Sequence, residues 1–270
     1  MESERVQKIL NGDVLSAAKL IKDIENENPG ISGVIDGLRT HAGKAFTVGI
    51  TGAAGSGKST LLGGLVRYFR TNRSMTVGVV AIDPTSPLTG GAFLGDRLRI
   101  QGEEVDKGVF IRSLASRGWK GGLSRTAADV VLVMDAMGKA IIFIETVGSG
   151  QADIDIAGIA DTCIGVLVPG MGDDIQLMKA GIMEIADIFV VNKADREGAG
   201  SLKTLLEAVI DMKGRALAVW KPPVILTEAT TGKGTEELGQ AILSHKDYLT
   251  KSGELDKKRT TRKNLDQFSL

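Results

Sequence analysis

An α/β fold, a mostly parallel sheet with helices on both faces, is what this sequence predicts, and three observations carry the prediction. From Phe46 onward, short apolar runs alternate with helical segments, the pattern of repeated strand–helix crossovers. The runs are continuously apolar rather than alternating, as strands buried on both faces must be. At 270 residues, with 43% hydrophobic and 24% charged content, the chain can bury a sizeable core.

Residues 1–42 come first, as a helical extension in which Val14, Ala17, Ala18, Ile21 and Ile24 recur at helical spacing. Pro29-Gly30 interrupts them, so two or three helices are expected. Strands follow at 46–50, 76–82, 108–112, 140–145, 162–168, 187–191 and 223–227, within one domain spanning 43–249. Helices fill the gaps at 58–72, 124–137, 174–185, 199–213 and 234–249. Residues 250–270 form a short C-terminal helical tail, and the polar stretch KKRTTRKNLDQ reads as an exposed helix or a frayed end.

Composition excludes several classes. The 33 basic and 33 acidic side chains cancel, so no global field points to nucleic acid or a membrane surface. A single cysteine, Cys163, rules out an internal disulfide framework, and two histidines, His41 and His245, make a zinc enzyme a poor expectation. The acidic start MESERVQKIL lacks a signal peptide's apolar core, and no apolar run is long enough to cross a bilayer. A cytoplasmic location is expected.

GAAGSGKS, Gly52 to Ser59, fits G-x-x-x-x-G-K-[ST], with the apolar strand FTVGI before it and the helical STLLGGLVRYFR after it. Gly52, Ala53, Ala54, Gly55, Ser56 and Gly57 let backbone N–H groups turn inward around a phosphate. Lys58, Ser59 and Thr60 open a helix whose N-terminus adds partial positive charge. Lys58 is expected to reach the β and γ phosphates, and Ser59 to offer its hydroxyl oxygen to Mg²⁺. A nucleoside triphosphate is the predicted ligand.

VVNKAD, Val190 to Asp195, supplies N-K-x-D after a strand. The Asp195 carboxylate can accept from both N1–H and the 2-amino group of guanine, whereas adenine has an acceptor at N1 and no 2-amino group. A site left unpaired in this way rejects the wrong ligand by roughly 10⁴-fold in favourable cases. Asn192 is expected to orient the loop, and the stem of Lys193 to lie over the ring. In TEATTGKG at 227–234, Glu228 and Ala229 stand where a small residue and a backbone N–H usually meet guanine O6.

The strand IIFIE ends on Glu145 and hands over to Thr-Val-Gly, so a carboxylate and Gly148 are expected at the γ-phosphate and its metal. Small GTPases place Asp-x-x-Gly here. The extra methylene of Glu145 lets the carboxylate reach toward a metal-bound or attacking water. Asp83, before Pro84, and Asp96 with Arg97, in FLGDRLR, belong to the same reading. Mg²⁺ takes only one or two carboxylates directly, so Asp83, Asp96 and Glu145 cannot all touch it. The Asp96–Arg97 loop is the expected first switch.

With GAAGSGKST, AIDPTSP, GGAFLGDRLR, ETVGSGQ, the run GDDIQLMKAGIMEIAD and NKAD in one order, the sequence resembles the MeaB/ArgK family of P-loop GTPases, within the SIMIBI class. The resemblance implies a G-protein chaperone whose GTP cycle gates cofactor loading, protection or reactivation of an adenosylcobalamin-dependent acyl-CoA mutase, such as methylmalonyl-CoA mutase. It implies a further switch at 170–179, carrying Asp173 and Lys179, that couples nucleotide state to the partner. Arg97 stands where relatives commonly have lysine, and Glu228 replaces a serine. Relatives dimerise through a C-terminal helical arm that is expected to be shortened here, which makes a homodimer less secure.

No counterpart of the water-orienting glutamine is evident, since Gln151 lies three residues past Gly148. Slow hydrolysis alone, stimulated by the partner, is therefore expected, with Lys58, Glu145, Asp96 and Arg97 as catalytic candidates. An arginine supplied by a partner can be worth about 10³- to 10⁵-fold in rate. The alternatives are a nickel-inserting GTPase, a nucleotide-gated scaffold with little hydrolysis, and a small-molecule kinase.

Overall fold

A computed structural model describes residues 2–83, 106–115, 122–146, 148, 155–170, 181–213 and 220–268. Three helices lead the chain: α1 (Glu2–Leu10), α2 (Val14–Glu25) and α3 (Ser32–Arg39). Asp13 caps α2 by accepting the N–H of Ser16 at 2.7 Å, which satisfies one of the donors a helix start leaves open. The buried face of α2 is Ala17, Leu20, Ile21 and Ile24, the spacing that puts side chains on one stripe.

The seven expected strands are present: β1 (Phe46–Gly52), β2 (Val77–Asp83), β3 (Val109–Ala115), β4 (Ile141–Glu145), β5 (Thr162–Leu167), β6 (Ile188–Asn192) and β7 (Val224–Thr227). They form one parallel sheet in the order β3-β2-β4-β1-β5-β6-β7. Every residue of β1, β4, β5 and β6 is buried, which leaves neither face of those strands to water. The connecting helices are α4 (Lys58–Thr71), α5 (Gly122–Ala136), a single turn α6 (Ile182–Ile185), α7 (Ala199–Lys213), α8 (Thr235–Ser252) and α9 (Glu254–Phe268). Of the helix expected at 174–185, only α6 falls within the described residues.

Two compact units divide the chain, Met1–Thr47 with Phe69–Ile144, and Val48–Tyr68 with Glu145–Leu270. In the first, α2 and α3 pack on α5, and Arg112 pairs with Glu25. The Asp135 carboxylate accepts the N–H groups of Gly43 at 2.6 Å and Ala45 at 3.0 Å, fixing the entry into β1. Arg70 grips Asp106 with two N–H donors at 2.7 and 2.9 Å.

In the second unit the C-terminal segment makes contacts that the sequence does not reveal. It is helical over Glu254–Phe268, as expected, and its described side chains are exposed or half-buried, but it is also fastened to the fold. Arg259 and Arg262 of α9 reach Asp161 at 2.6 and 3.0 Å, and that carboxylate is only 1% exposed. Arg262 also donates to the carbonyl of Ala160. A buried carboxylate needs paired donors to stay ionised, and these two arginines tie the tail to the start of β5. Polar composition concealed this, because a pairing partner about a hundred residues away leaves no periodic mark.

Candidate functional site

β1 ends on Gly52, whose φ of +147° suits no side chain, and a Cβ there would lie 2.2 Å from the carbonyl oxygen of Val166. The chain then turns through Ala53, Ala54, Gly55, Ser56 and Gly57 into α4, with left-handed backbone at Gly55 and Gly57. Lys58 is 6% exposed, and its Nζ donates to the carbonyls of Gly52 at 2.8 Å and Ala53 at 3.0 Å. Its ammonium thus lies against the loop's own carbonyl dipoles. Thr60 is exposed on the first turn of α4.

Glu145 closes β4 and is 6% exposed. Its Oε1 accepts the hydroxyl proton of Ser59 at 2.7 Å. Thr146 N–H donates to Ile50 O at 3.1 Å, holding the strand end beside β1. Gly148 has φ +80°, and a Cβ on it would meet Gly52 O at 2.3 Å, so a glycine lets this turn sit against the phosphate loop. Lys58, Ser59, Glu145 and Gly148, separated widely in sequence, therefore converge on one loop. Asp83 ends β2, but its side chain lies outside the described residues, as do Asp96, Arg97, Asp173 and Lys179.

Asn192, 2% exposed at the end of β6, joins three segments. Its Nδ2 donates to Ser56 O at 2.8 Å, while its Oδ1 accepts from Thr227 Oγ1 at 3.0 Å and from Ala229 N–H at 3.1 Å. These partners fix the orientation of the amide, since one end meets a carbonyl and the other meets two donors. Lys193 follows with φ +58° and donates from Nζ to Gly55 O at 2.8 Å. Asp195 is exposed, with its carboxylate at the surface for a ligand to reach. The Ala229 N–H, expected to face the purine, donates here to Asn192 Oδ1. Glu228 pairs with Lys233 at 2.6 Å.

The role of Thr227 is absent from the sequence reading. Its hydroxyl helps hold Asn192, and the signal was there in the threonine that opens TEATTGKG. Gly57 is explained by the same junction, because a Cβ on it would approach Asn192 Nδ2 to 2.4 Å.

A phosphate loop laced by hydrogen bonds to an N-K-x-D turn, on a seven-stranded parallel sheet, defines a P-loop GTPase. The chain belongs to the family described as methylmalonyl-CoA mutase-associated GTPase MeaB, whose profile matches residues 17–270. A Pyrococcus horikoshii protein named as a putative GTPase is 49% identical over 261 residues, covering 96% of this chain and 82% of its own. GTPase ArgK of Escherichia coli is 31% identical, covering 95% of this chain and 80% of its own. The mouse methylmalonic aciduria type A homolog, a mitochondrial protein, is 32% identical over 83% of this chain and 55% of its own length. A solved LAO/AO transport system kinase superposes with a TM-score of 0.80 at 25% identity, covering 99% of this chain and 82% of that one. HypB of Helicobacter pylori shares the fold alone, with a TM-score of 0.56 at 17% identity, over 84% of this chain and 95% of that one.

Proposed function

We propose that this GTPase is a nucleotide-driven chaperone that gates cofactor loading, protection or reactivation of an adenosylcobalamin-dependent acyl-CoA mutase. The observation that carries the reading is the family match over residues 17–270, to a family described by its association with methylmalonyl-CoA mutase. The mouse relative, named for methylmalonic aciduria, supports the same class of client. A homodimer and a cytoplasmic location belong to the same proposal.

In this reading the N–H groups from Ala53 to Thr60 and of Gly148 cradle the phosphates, and Lys58 exchanges its two carbonyl partners for phosphate oxygens. The exchange is favourable because a carbonyl presents a dipole where a phosphate presents a full charge. Asp195 selects guanine, Asn192 keeps the base turn seated on the phosphate loop, and Lys193 covers the ring. The oxygen set of Ser59 and Glu145 suits a hard cation such as Mg²⁺, which would neutralise charge on the β and γ phosphates. Ser59 Oγ would hold the ion while still giving its proton to Glu145, as it does at 2.7 Å here. Asp83, Asp96 and Arg97 complete the hydrolytic set, and Asp173 and Lys179 carry the nucleotide state to the mutase.

Nickel carriage fits this chain poorly. Cys163 is buried in β5, and burial together with the Asp187 charge pushes its thiol up to about 12, so it is not the thiolate a soft metal needs.

GTP turnover with and without a methylmalonyl-CoA mutase tests the reading. Slow turnover alone should rise when the mutase is added. Glu145→Gln should keep GDP binding and lose roughly 10²-fold in turnover. Turnover already fast alone and indifferent to mutase would remove the chaperone reading; an undiminished Glu145→Gln rate would remove the role of that carboxylate.

A further inference from the structure

Lys233 lies in TEATTGKG but has no role in the sequence reading, and it closes the loop that follows β7. Glu228 sits between Thr227 and Ala229, and both of those neighbours bond to Asn192 Oδ1, at 3.0 and 3.1 Å. Glu228 is thereby placed beside the Asn192 turn, and its side chain is only 16% exposed. Both of its oxygens are occupied within the loop. Oε1 accepts from Lys233 Nζ at 2.6 Å, and Oε2 accepts from Thr231 Oγ1 at 3.3 Å.

The backbone closes the same ring. Glu228 N–H donates to Lys233 O at 3.0 Å, forming an isolated antiparallel bridge, while the N–H groups of Thr231 and Gly232 donate to Glu228 O at 3.1 and 2.9 Å. Gly234 ends the loop with φ +79°, where a Cβ would lie 2.2 Å from Leu226 O. Residues 228–233 are thus a self-bonded cassette whose one carboxylate is held by one lysine.

We propose that Lys233 is a positioning residue for purine selection, holding the Glu228 carboxylate off the base edge so that guanine rather than adenine is accepted. The inference rests on the guanine reading of the Asn192–Asp195 turn. Its chemistry is that of the purine 6-position. Guanine presents the acceptor O6 there, which an unheld carboxylate repels. Adenine presents a 6-amino donor, which the same carboxylate attracts. Losing the Lys233 charge should therefore shift the balance between the two bases rather than weaken both alike. The hydrogen bond and charge of Glu228, with the Asp195 charge added, raise the Lys233 pKa, so the ammonium stays protonated at neutral pH.

Fluorescent GDP and ADP titrations on the full chain would test this with Lys233→Gln, Lys233→Arg and the double variant Lys233→Gln/Glu228→Gln. Lys233→Gln should weaken GDP about tenfold while ADP binding holds or tightens, a change in preference of the size one displaced charge can bring. Lys233→Arg should keep the wild-type preference, and the double variant should restore it. Parallel loss of both nucleotides, an unchanged GDP-to-ADP ratio in Lys233→Gln, or no recovery in the double variant would overturn the proposal. Asp195→Asn separates it from the reading beneath. If Asp195→Asn collapses the GDP preference while Lys233→Gln leaves it intact, only the Lys233 proposal falls. If neither moves the ratio, or if the wild type prefers ADP, the guanine reading falls with it.

Discussion

The nucleotide end and the amino ends of β5 and β6 both bury ionised groups, but they compensate them differently. At the phosphate loop, the Lys58 ammonium donates to two carbonyl oxygens, at 2.8 and 3.0 Å. At the start of β5, Asp161 is held by the full charges of Arg259 and Arg262. Close by, Asp187 accepts the Cys163 N–H at 2.9 Å, its backbone carbonyl takes Trp220 Nε1–H at 2.7 Å, and His245 lies 3.6 Å from its carboxylate. A bond to a carbonyl dipole can be exchanged for one to a charged partner. Charge balanced by opposite charge is locked. The first arrangement suits ligand exchange, the second suits fastening a helix.

The sharpest break between the two regions should come from the base turn. Asp195→Asn is expected to lower GDP affinity by roughly 10⁴-fold while favouring xanthosine diphosphate, whose 2-oxo group suits the new amide donor. Thermal stability should barely change, because Asp195 is exposed, and calorimetric titration of both nucleotides checks the swap. Asp161→Ala should do the reverse. Leaving Arg259 and Arg262 half-buried without that carboxylate should cost about 3–5 kcal/mol of stability, read in a urea midpoint, with GDP affinity per folded molecule retained.

Acid should distinguish the regions next. Burial, aided by Lys258 and opposed by Asp161, pushes the His245 pKa down to about 4 from 6.5. Its Nδ1 lies 2.8 Å from Thr162 Oγ1. Below pH 6.5 the unfolded chain takes up a proton that the folded one refuses, so stability should fall as pH drops from 6.5 toward 4, by up to about 3 kcal/mol. Burial raises the Asp187 pKa, a contribution of opposite slope in acid, since the folded state there binds the proton more readily. The difference between wild type and His245→Asn in urea midpoints at pH 7 and pH 5 isolates the histidine. The smallest effect belongs to Ser56, fully buried, whose hydroxyl has no hydrogen-bond partner among the described residues. Ser56→Ala should raise stability by up to about 1 kcal/mol, measured in the same midpoint assay.

Much of the site was legible because its chemistry is local in sequence. Gly52 to Ser59 and Asn192 to Asp195 are contiguous, since a loop that wraps a phosphate or a base is built from consecutive backbone groups. Glu145 was legible from a strand that runs out into glycine. Thr227 as a brace for Asn192, Lys233 as the partner of Glu228, and the engaged Ala229 N–H were not, because each depends on how two loops meet. The C-terminal helix was legible as a helix, and its fastening to Asp161 was not.

The sequence by itself determined the seven strands, most of the helices between them and the two nucleotide motifs, because burial on both faces and tight glycine turns each leave a short-range pattern. Only the tertiary structure decided which polar groups close on one another: Asn192 across Ser56, Thr227 and Ala229, Glu228 on Lys233, and Asp161 on Arg259 and Arg262. Such pairings answer to distance in space, and a buried polar group is satisfied by whichever donor the fold brings near, however far away it lies along the chain.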